Sequence, residues 1–278
     1  MSLFVHSVQR LKEVNIIRKL RTSRWRYEQL RRSYFSQHPM NLPAVSSDPA
    51  LASLCKDGFV LLPNYWDKNL IKQIHDKALP IAERCRHGEV FLENATVRYP
   101  KDGIYRVRSI DSIIPKVSLL VNDKRLMDIV GGYLGTFMYR TNLNYLDYKP
   151  DVGRHDYTTV PHMDTWRSQI KIFTLLVDVK YDTAPLVYWK GSHRDRPWRR
   201  DLDYLNFTGS LLGSTGSMPP AILRAQEDVE DDPLQEVTLT APAGSVIIAD
   251  VRGAHRASNL YSGYRLELVQ KINPTIKS

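Results

Sequence analysis

Apolar side chains at Ile16, Leu20, Tyr27, Leu30 and Tyr34, with Ser23 among them, recur at alternating steps of four and three residues, and arginines fill the positions around them. That spacing draws one apolar stripe along a helix. Nothing breaks it before Pro39, because residues 1–38 contain neither glycine nor proline. A basic amphipathic helix or helix pair is expected there, followed by a linker around Pro39–Asp48. The run Asp57-Gly58-Phe59-Val60-Leu61-Leu62-Pro63 reads as a short strand. Asp67 then caps an amphipathic helix to about Arg86, with Leu70, Ile71, Ile74, Ala78 and Ile81 on its apolar side.

From Phe137 the texture changes to short β-rich runs parted by turn residues: Phe137–Tyr148, Ile170–Val179, Leu186–Trp189, Val237–Leu239, Ser245–Val251 and Arg265–Ile272. Several antiparallel strands with polar or glycine-containing connections predict a sandwich or jelly roll, mainly β with flanking α. The irregular stretch from Asp195 to Asp232 is long enough to predict a lid or binding loop.

The composition, 42% hydrophobic and 25% charged over 278 residues, excludes disordered and collagen-like classes and provides for a sizeable core. The longest uncharged run, Tyr204–Leu223, carries Pro219, Pro220 and three glycines, which would leave backbone groups unsatisfied in lipid. Two cysteines, Cys55 and Cys85, without a second pair for a zinc clip or a recognisable signal peptide, imply a reducing, cytoplasmic setting and free thiols. Charge is uneven. Residues 1–40 hold nine Lys/Arg against Glu13 and Glu28, whereas the rest of the chain is nearly balanced. Such an arm either packs on the protein's own body or a sister subunit, or adsorbs through residues 1–38 to an anionic membrane surface at the inner face. Nucleic acid is not an expected partner, since no recognition motif accompanies the charge.

Candidate chemistry begins with two His-x-Asp pairs, His162-Met163-Asp164 and His193-Arg194-Asp195. Residues i and i+2 of a strand face the same side, as two ligands of one metal require. A 2-His-1-carboxylate triad needs a further histidine from a neighbouring strand. His255, just beyond the apolar run Ser245–Val251 and Gly253, supplies it. Residue types and spacing leave both pairs open.

The flanks carry a resemblance. Pro161-His162-Met163-Asp164, Leu175-Leu176-Val177-Asp178-Val179, Ala184-Pro185-Leu186-Val187-Tyr188-Trp189-Lys190-Gly191-Ser192-His193-Arg194, Gly253-Ala254-His255-Arg256-Ala257-Ser258-Asn259 and Tyr264-Arg265-Leu266 together resemble the phytanoyl-CoA dioxygenase family, as does the opening Gly58–Pro63. The likeness spans about residues 55–273. It implies a double-stranded β-helix (jelly roll, cupin-like) over residues 41–278, with a lid-like insertion at 195–236 and the arm, residues 1–40, outside it. It implies Fe(II) held by His162, Asp164 and His255, with 2-oxoglutarate and O2 as co-substrates and no catalytic residue beyond the metal ligands. By the same resemblance His193 lies in a strap and not at the metal, and Arg265 holds the distal carboxylate of 2-oxoglutarate. A guanidinium fork suits that task. The family's usual Ser or Thr two residues after the distal histidine is Ala257 here, with Ser258 next. Ser258, Thr165, Asn144 and Lys171 are the further polar candidates for co-substrate binding. The sequence also departs from the family at Thr183-Ala184-Pro185-Leu186 and Lys190-Gly191-Ser192-His193.

The implied reaction is hydroxylation of a small molecule, a saccharide or a lipid-linked substrate, with release of succinate and CO2. Trp198, Arg199, Arg200 and Tyr204 in the insertion favour an acidic or glycan-like partner. The alternative is a cupin-like metal-dependent isomerase, or a non-oxidative binding module, using the same His/Asp/His site.

Overall fold

Val246, Ile248 and Asp250 point to one side of a strand, Ile247 and Ala249 to the other, and all five are buried. Such a strand has to be covered on both faces. The computed structural model, which describes residues 24–36, 47–89, 96–99, 103–135, 139–154, 157–195, 199–200, 203–204 and 234–275, shows how. Seven strands form one sheet in the order β1 (Phe59–Leu62), β8 (Val246–Asp250), β5 (Ile170–Leu175), β10 (Arg265–Pro274), β4 (Tyr139–Lys149), β3 (Ile104–Arg108) and β2 (Thr96–Tyr99). A second sheet holds β7 (Glu236–Leu239), β6 (Leu186–Trp189) and β9 (His255–Ala257). The pairings between these strands are antiparallel. The mainly β, jelly-roll architecture expected from the chain is what is observed.

The two sheets face each other across Phe59, Tyr145, Phe173, Leu175, Tyr188, Leu239, Ile247 and Val269. The outer face of the large sheet is covered by helices. Helix α3 (Lys68–Arg86) lays Ile71, Ile74, Ala78 and Cys85 over Leu146, Leu266 and Leu268, together with α4 (Ile110–Ile113) and α5 (Val117–Val121). Helices α2 (Pro49–Asp57) and α6 (Lys124–Leu134) cover Ile170, Ile172, Val246 and Ile248. Asp67 caps α3 by accepting from the Asn69 and Leu70 amides, as the sequence predicts. Helix α2 begins one residue beyond the expected linker: Asp48 accepts from the Ala50 amide and Pro49 takes the first helical position. Cys55 and Cys85 are buried free thiols.

Residues 24–36 form helix α1. Tyr27 is fully buried, its ring 5.9 Å from Trp166 and 5.8 Å from Tyr204. Two stripe steps further, Tyr34 lies 5.5 Å from Trp166 and accepts a hydrogen bond from the Ser168 amide. Arg31 pairs with Asp195 at 2.6 Å. Tyr27 and Tyr34 of the stripe therefore pack on the protein's own body, Leu30 between them stays 44% exposed, and Ile16, Leu20 and Ser23 lie outside the described residues, as does most of the predicted insertion (196–198, 201–202 and 205–233). Among the described residues no helix is long and apolar enough to cross a membrane.

Because Tyr27 is the most deeply seated side chain of α1, Tyr27→Ala is expected to cost about 3 kcal/mol. That corresponds to a fall of roughly 6–10 °C in Tm, measurable by calorimetry. An unchanged melting curve would show that α1 contributes nothing to the fold.

Candidate metal centre

Strand β9 turns His255 and Ala257 toward the interior and Arg256 outward to Glu236. The segment carrying His162 runs beside it. His162 and His255 form an isolated antiparallel bridge, His162 N–H donating to the His255 carbonyl at 2.9 Å and His255 N–H returning a bond at 3.0 Å. Two residues on, the Asp164 amide donates to the Val251 carbonyl at 3.0 Å. The extended chain thus puts His162 and Asp164 on one side, facing His255. One ligand atom from each of the three lies within 4.8 Å of the others.

Each imidazole is oriented by its own backbone. His162 Nδ1 meets the Val160 carbonyl and His255 Nδ1 the Gly253 carbonyl, both at 2.8 Å. Nδ1 therefore carries the proton and Nε2 keeps the lone pair. The Nε2 atoms stand 3.5 and 3.7 Å from Asp164 Oδ1. Cis ligands with bonds of about 2.1 Å stand roughly 3 Å apart, so a divalent metal fits after a small inward shift. Lys171 Nζ occupies the other oxygen, Asp164 Oδ2, at 2.5 Å, which leaves a single carboxylate oxygen for the ion. Gly253 is required by close approach: a Cβ there would lie 1.8 Å from Tyr188 Oη, displacing the turn that delivers His255.

Electrostatics prepares the group for a cation. Burial, with His162 alongside, pushes His255 down to about 3, so it is neutral at physiological pH and binding a metal releases no proton from it. Withdrawal from water would raise the Asp164 carboxyl, but Lys171 on its Oδ2 holds it well below the usual carboxylate range.

From His162 and His255 a cavity of about 50 Å3 runs between the sheets, walled by Phe173, Leu175, Leu186 and Ile247 and reaching Arg265. Leu175 pairs with Glu267, four residues along β5 from Lys171, so the metal group and Arg265 occupy different levels of one chamber. Arg265 is buried. Its Nη1 donates to the Ala184 carbonyl at 3.0 Å, and Nη2 stands 3.2 Å from Glu267 and 3.6 Å from Asp147. Ala184 holds that carbonyl from a left-handed conformation, φ +58, at a cost of about 1–2 kcal/mol for a residue with a Cβ.

The other candidates fall elsewhere. Asn144 pairs with Gln270, whose side chain donates to the Val121 carbonyl, so its register places it on the helix-covered face. Thr165 accepts from the Arg167 amide in a local turn, and Ser258 lies beyond β9, its amide on the Pro185 carbonyl. Neither lines the cavity, whereas Ala257 does. His193 is buried under Gly58, with Nε2 on the Cys55 carbonyl, and burial pushes it down to about 4. Asp195 pairs with Arg31 and Arg200. Sequence reasoning missed Arg106, Asp147, Lys149, Thr158 and Glu267. Arg106 Nε donates to Asp147 at 2.7 Å and Lys149 to Thr158 at 2.6 Å. The available signal was charge at alternate positions, Asp147/Lys149 and Arg265/Glu267, with Leu146, Tyr148, Leu266 and Leu268 beside them.

The jelly roll thus brings a His/Asp/His group that could hold one metal ion, and a buried arginine, to the same chamber. No protein-family model matches the chain, and no curated protein matches it in sequence. Solved structures do match. EctD from S. alaskensis, solved with 2-oxoglutarate and 5-hydroxyectoine, is 18% identical, covers 84% of this chain and 80% of its own, and has a TM-score of 0.64. HygX from Streptomyces hygroscopicus, with nickel and 2-oxoglutarate bound, is 15% identical over 84% of this chain and 89% of its own, with a TM-score of 0.56. The non-heme α-ketoglutarate-dependent epimerase SnoN of nogalamycin biosynthesis is 17% identical over 81% of each chain, at 0.54. What this chain shares with these iron- and 2-oxoglutarate-dependent enzymes is the fold.

Replacing any one ligand removes a vertex of the site. His162→Ala, Asp164→Ala and His255→Ala are each expected to lower metal affinity by more than the 10–100-fold typical of outer partners. His193→Ala should keep one metal per chain and show its cost in the melting temperature instead. Metal analysis after dialysis against Fe(II) or Ni(II) checks both, and equal metal loss from the His193 variant overturns the assignment.

Proposed function

We propose that the protein is an Fe(II)/2-oxoglutarate-dependent dioxygenase of the phytanoyl-CoA dioxygenase type that hydroxylates a small-molecule, saccharide or lipid-linked substrate. The observation that carries this reading is the His162–Asp164–His255 group in the same chamber as buried Arg265. When bound, Fe(II) with 2-oxoglutarate and O2 supplies the oxidising power that converts a C–H bond to C–OH and leaves succinate and CO2. The chain's own residues hold and orient. His162, Asp164 and His255 would hold the ion, each through one atom. Lys171 keeps Asp164 to one oxygen. Arg265 anchors the distal carboxylate, and Phe173, Leu175, Leu186 and Ile247 exclude water around it. Charge supports a dianionic co-substrate: Arg106, Lys149, Lys171 and Arg265 face Asp147, Asp164 and Glu267 before any metal adds its two positive charges. Trp166 with Arg167 stacked on it at 5.1 Å, just past Asp164, supports an anionic or sugar-like substrate.

Anaerobic addition of Fe(II) and 2-oxoglutarate should give a weak visible charge-transfer band, and air should then release succinate slowly even without substrate. Loss of a desolvated charge pair costs about 2–5 kcal/mol, so Arg265→Ala should weaken 2-oxoglutarate at least tenfold with little change in metal affinity. Arg265→Lys, which keeps the charge but not the fork, should recover part of it. Titrations of Arg265→Ala that match wild type would move the anchor to another cation, Arg106 first. Product analysis separates hydroxylation from the epimerase and carbocyclase outcomes named for SnoN and SnoK.

A membrane-surface contact through α1 has one support of its own. Trp25 and Leu30 are 68% and 44% exposed, with Arg26 and Arg32 exposed alongside. Each basic residue near an anionic leaflet gains about 1 kcal/mol, falling with salt. Trp25→Ala with Arg26→Ala should reduce co-sedimentation with anionic vesicles at low salt; absence of wild-type pelleting there ends this part of the reading.

A further inference from the structure

Glu267 and Asp147 stand directly opposite each other on β10 and β4, and both line the metal chamber. Their exposures are 6% and 2%. Directly opposed residues of an antiparallel pair have Cβ atoms about 5 Å apart, where like charges repel. The two are unequally supplied with cations. Asp147 accepts from Arg106 Nε at 2.7 Å and lies 3.6 Å from Arg265, whereas the ion pair of Glu267 is with Arg265, at 3.2 Å. Beside Asp147 on β4, Lys149 is paired with Arg265 and has its Nζ on Thr158, with Lys171 from β5 and His255 from β9 further along the wall.

A carboxylate arriving at Arg265 competes for the guanidinium that Glu267 uses. Asp147 keeps Arg106; Glu267 becomes a buried carboxylate beside two others. Two carboxylates sharing one site do not both stay ionised, and a third makes the constraint stricter. Burial and Asp147 already push Glu267 above the usual carboxylate range, while Arg106 and Arg265 hold Asp147 down, against its burial, to about 2.

We propose that Glu267 is a co-substrate-binding acid: it takes up one proton from solvent as the distal carboxylate of 2-oxoglutarate engages Arg265, and then donates its O–H to that carboxylate. The inference rests on the reading of Arg265 as the anchor. Glu267 thereby provides the donor that a hydroxyl residue would supply, at the expense of making co-substrate affinity depend on pH.

Isothermal titration of the Mn(II)-loaded full chain with 2-oxoglutarate, in buffers of different ionisation enthalpy from pH 5.5 to 9, reads the proton directly. Wild type is expected to absorb close to one proton per 2-oxoglutarate where free Glu267 is ionised, with Kd rising up to tenfold per pH unit there. Glu267→Gln, which keeps a donor and removes the charge, is expected to bind without that proton, with a flat pH profile and at least tenfold tighter than wild type at the alkaline end. The metal ligands are the same in both proteins, so their protons cancel in the comparison. Should Glu267→Gln melt early, Glu267→Ser serves the same purpose, with the same flat profile expected. Binding that requires Arg265 but moves no proton, or parallel pH slopes in wild type and variant, overturns the proposal alone. No binding by wild type, or unchanged binding by Arg265→Ala, overturns the reading of Arg265 and the proposal with it.

Discussion

Two backbone hydrogen bonds between His162 and His255 hold the site together. They fasten an irregular segment with little regular structure of its own to a three-residue strand, and they set which side chains meet. A slip of one residue in this pairing would turn His162 and Asp164 away from His255, since side chains alternate along extended chain. The Asp164 amide on Val251, Nδ1 of each imidazole on a carbonyl two residues upstream, and the close seating of Gly253 against Tyr188 all depend on that register. Tyr188 in turn donates to the Asp250 carbonyl, which ties the turn before His255 to the end of β8.

Register within the large sheet explains the charge inside the chamber. Strands β4, β5 and β10 are covered by helices outside and by the small sheet inside, and their charged residues Asp147, Lys171, Arg265 and Glu267 lie on the chamber side and have to be balanced there. Arg106 with Asp147, Arg265 with Glu267 and Lys171 with Asp164 provide that balance. Buried pairs of this kind seldom add stability, because desolvation offsets their attraction, and removing one member strands the other. Their value lies in presenting fixed charge to a ligand, and the pairing Lys171–Asp164 shows it at the metal group itself.

Helix α1 braces the outside of the site. Tyr27 and Tyr34 meet Trp166, and Tyr34 accepts from the Ser168 amide, two to four residues past Asp164. Of the two roles open to the basic arm, packing is the one its described part takes at Tyr27 and Tyr34, against the loop that carries Asp164. Arg31 on Asp195 extends the brace to the strap after His193.

Alternation and capping by themselves determined much of this protein. Strands β5, β6, β7, β8 and β10, the Asp67-capped helix and the jelly-roll class follow from local pattern, because residue period and cap chemistry act over a few neighbours. The trio His162, Asp164 and His255 was legible through its flanks. Pattern was silent on α2, α4, α5 and α6, whose short apolar stripes become distinctive only when a sheet lies beneath them. Tertiary structure alone decided the faces. Asn144 differs from Asp147 in what it touches because register, which propensity does not encode, turns one toward the helices and the other toward Arg106. His193-x-Asp195 and His162-x-Asp164 are the same local motif. Only the packing of Gly58 on the imidazole makes the first a buried support, and only the long-range pairing with β9 brings the second beside His255.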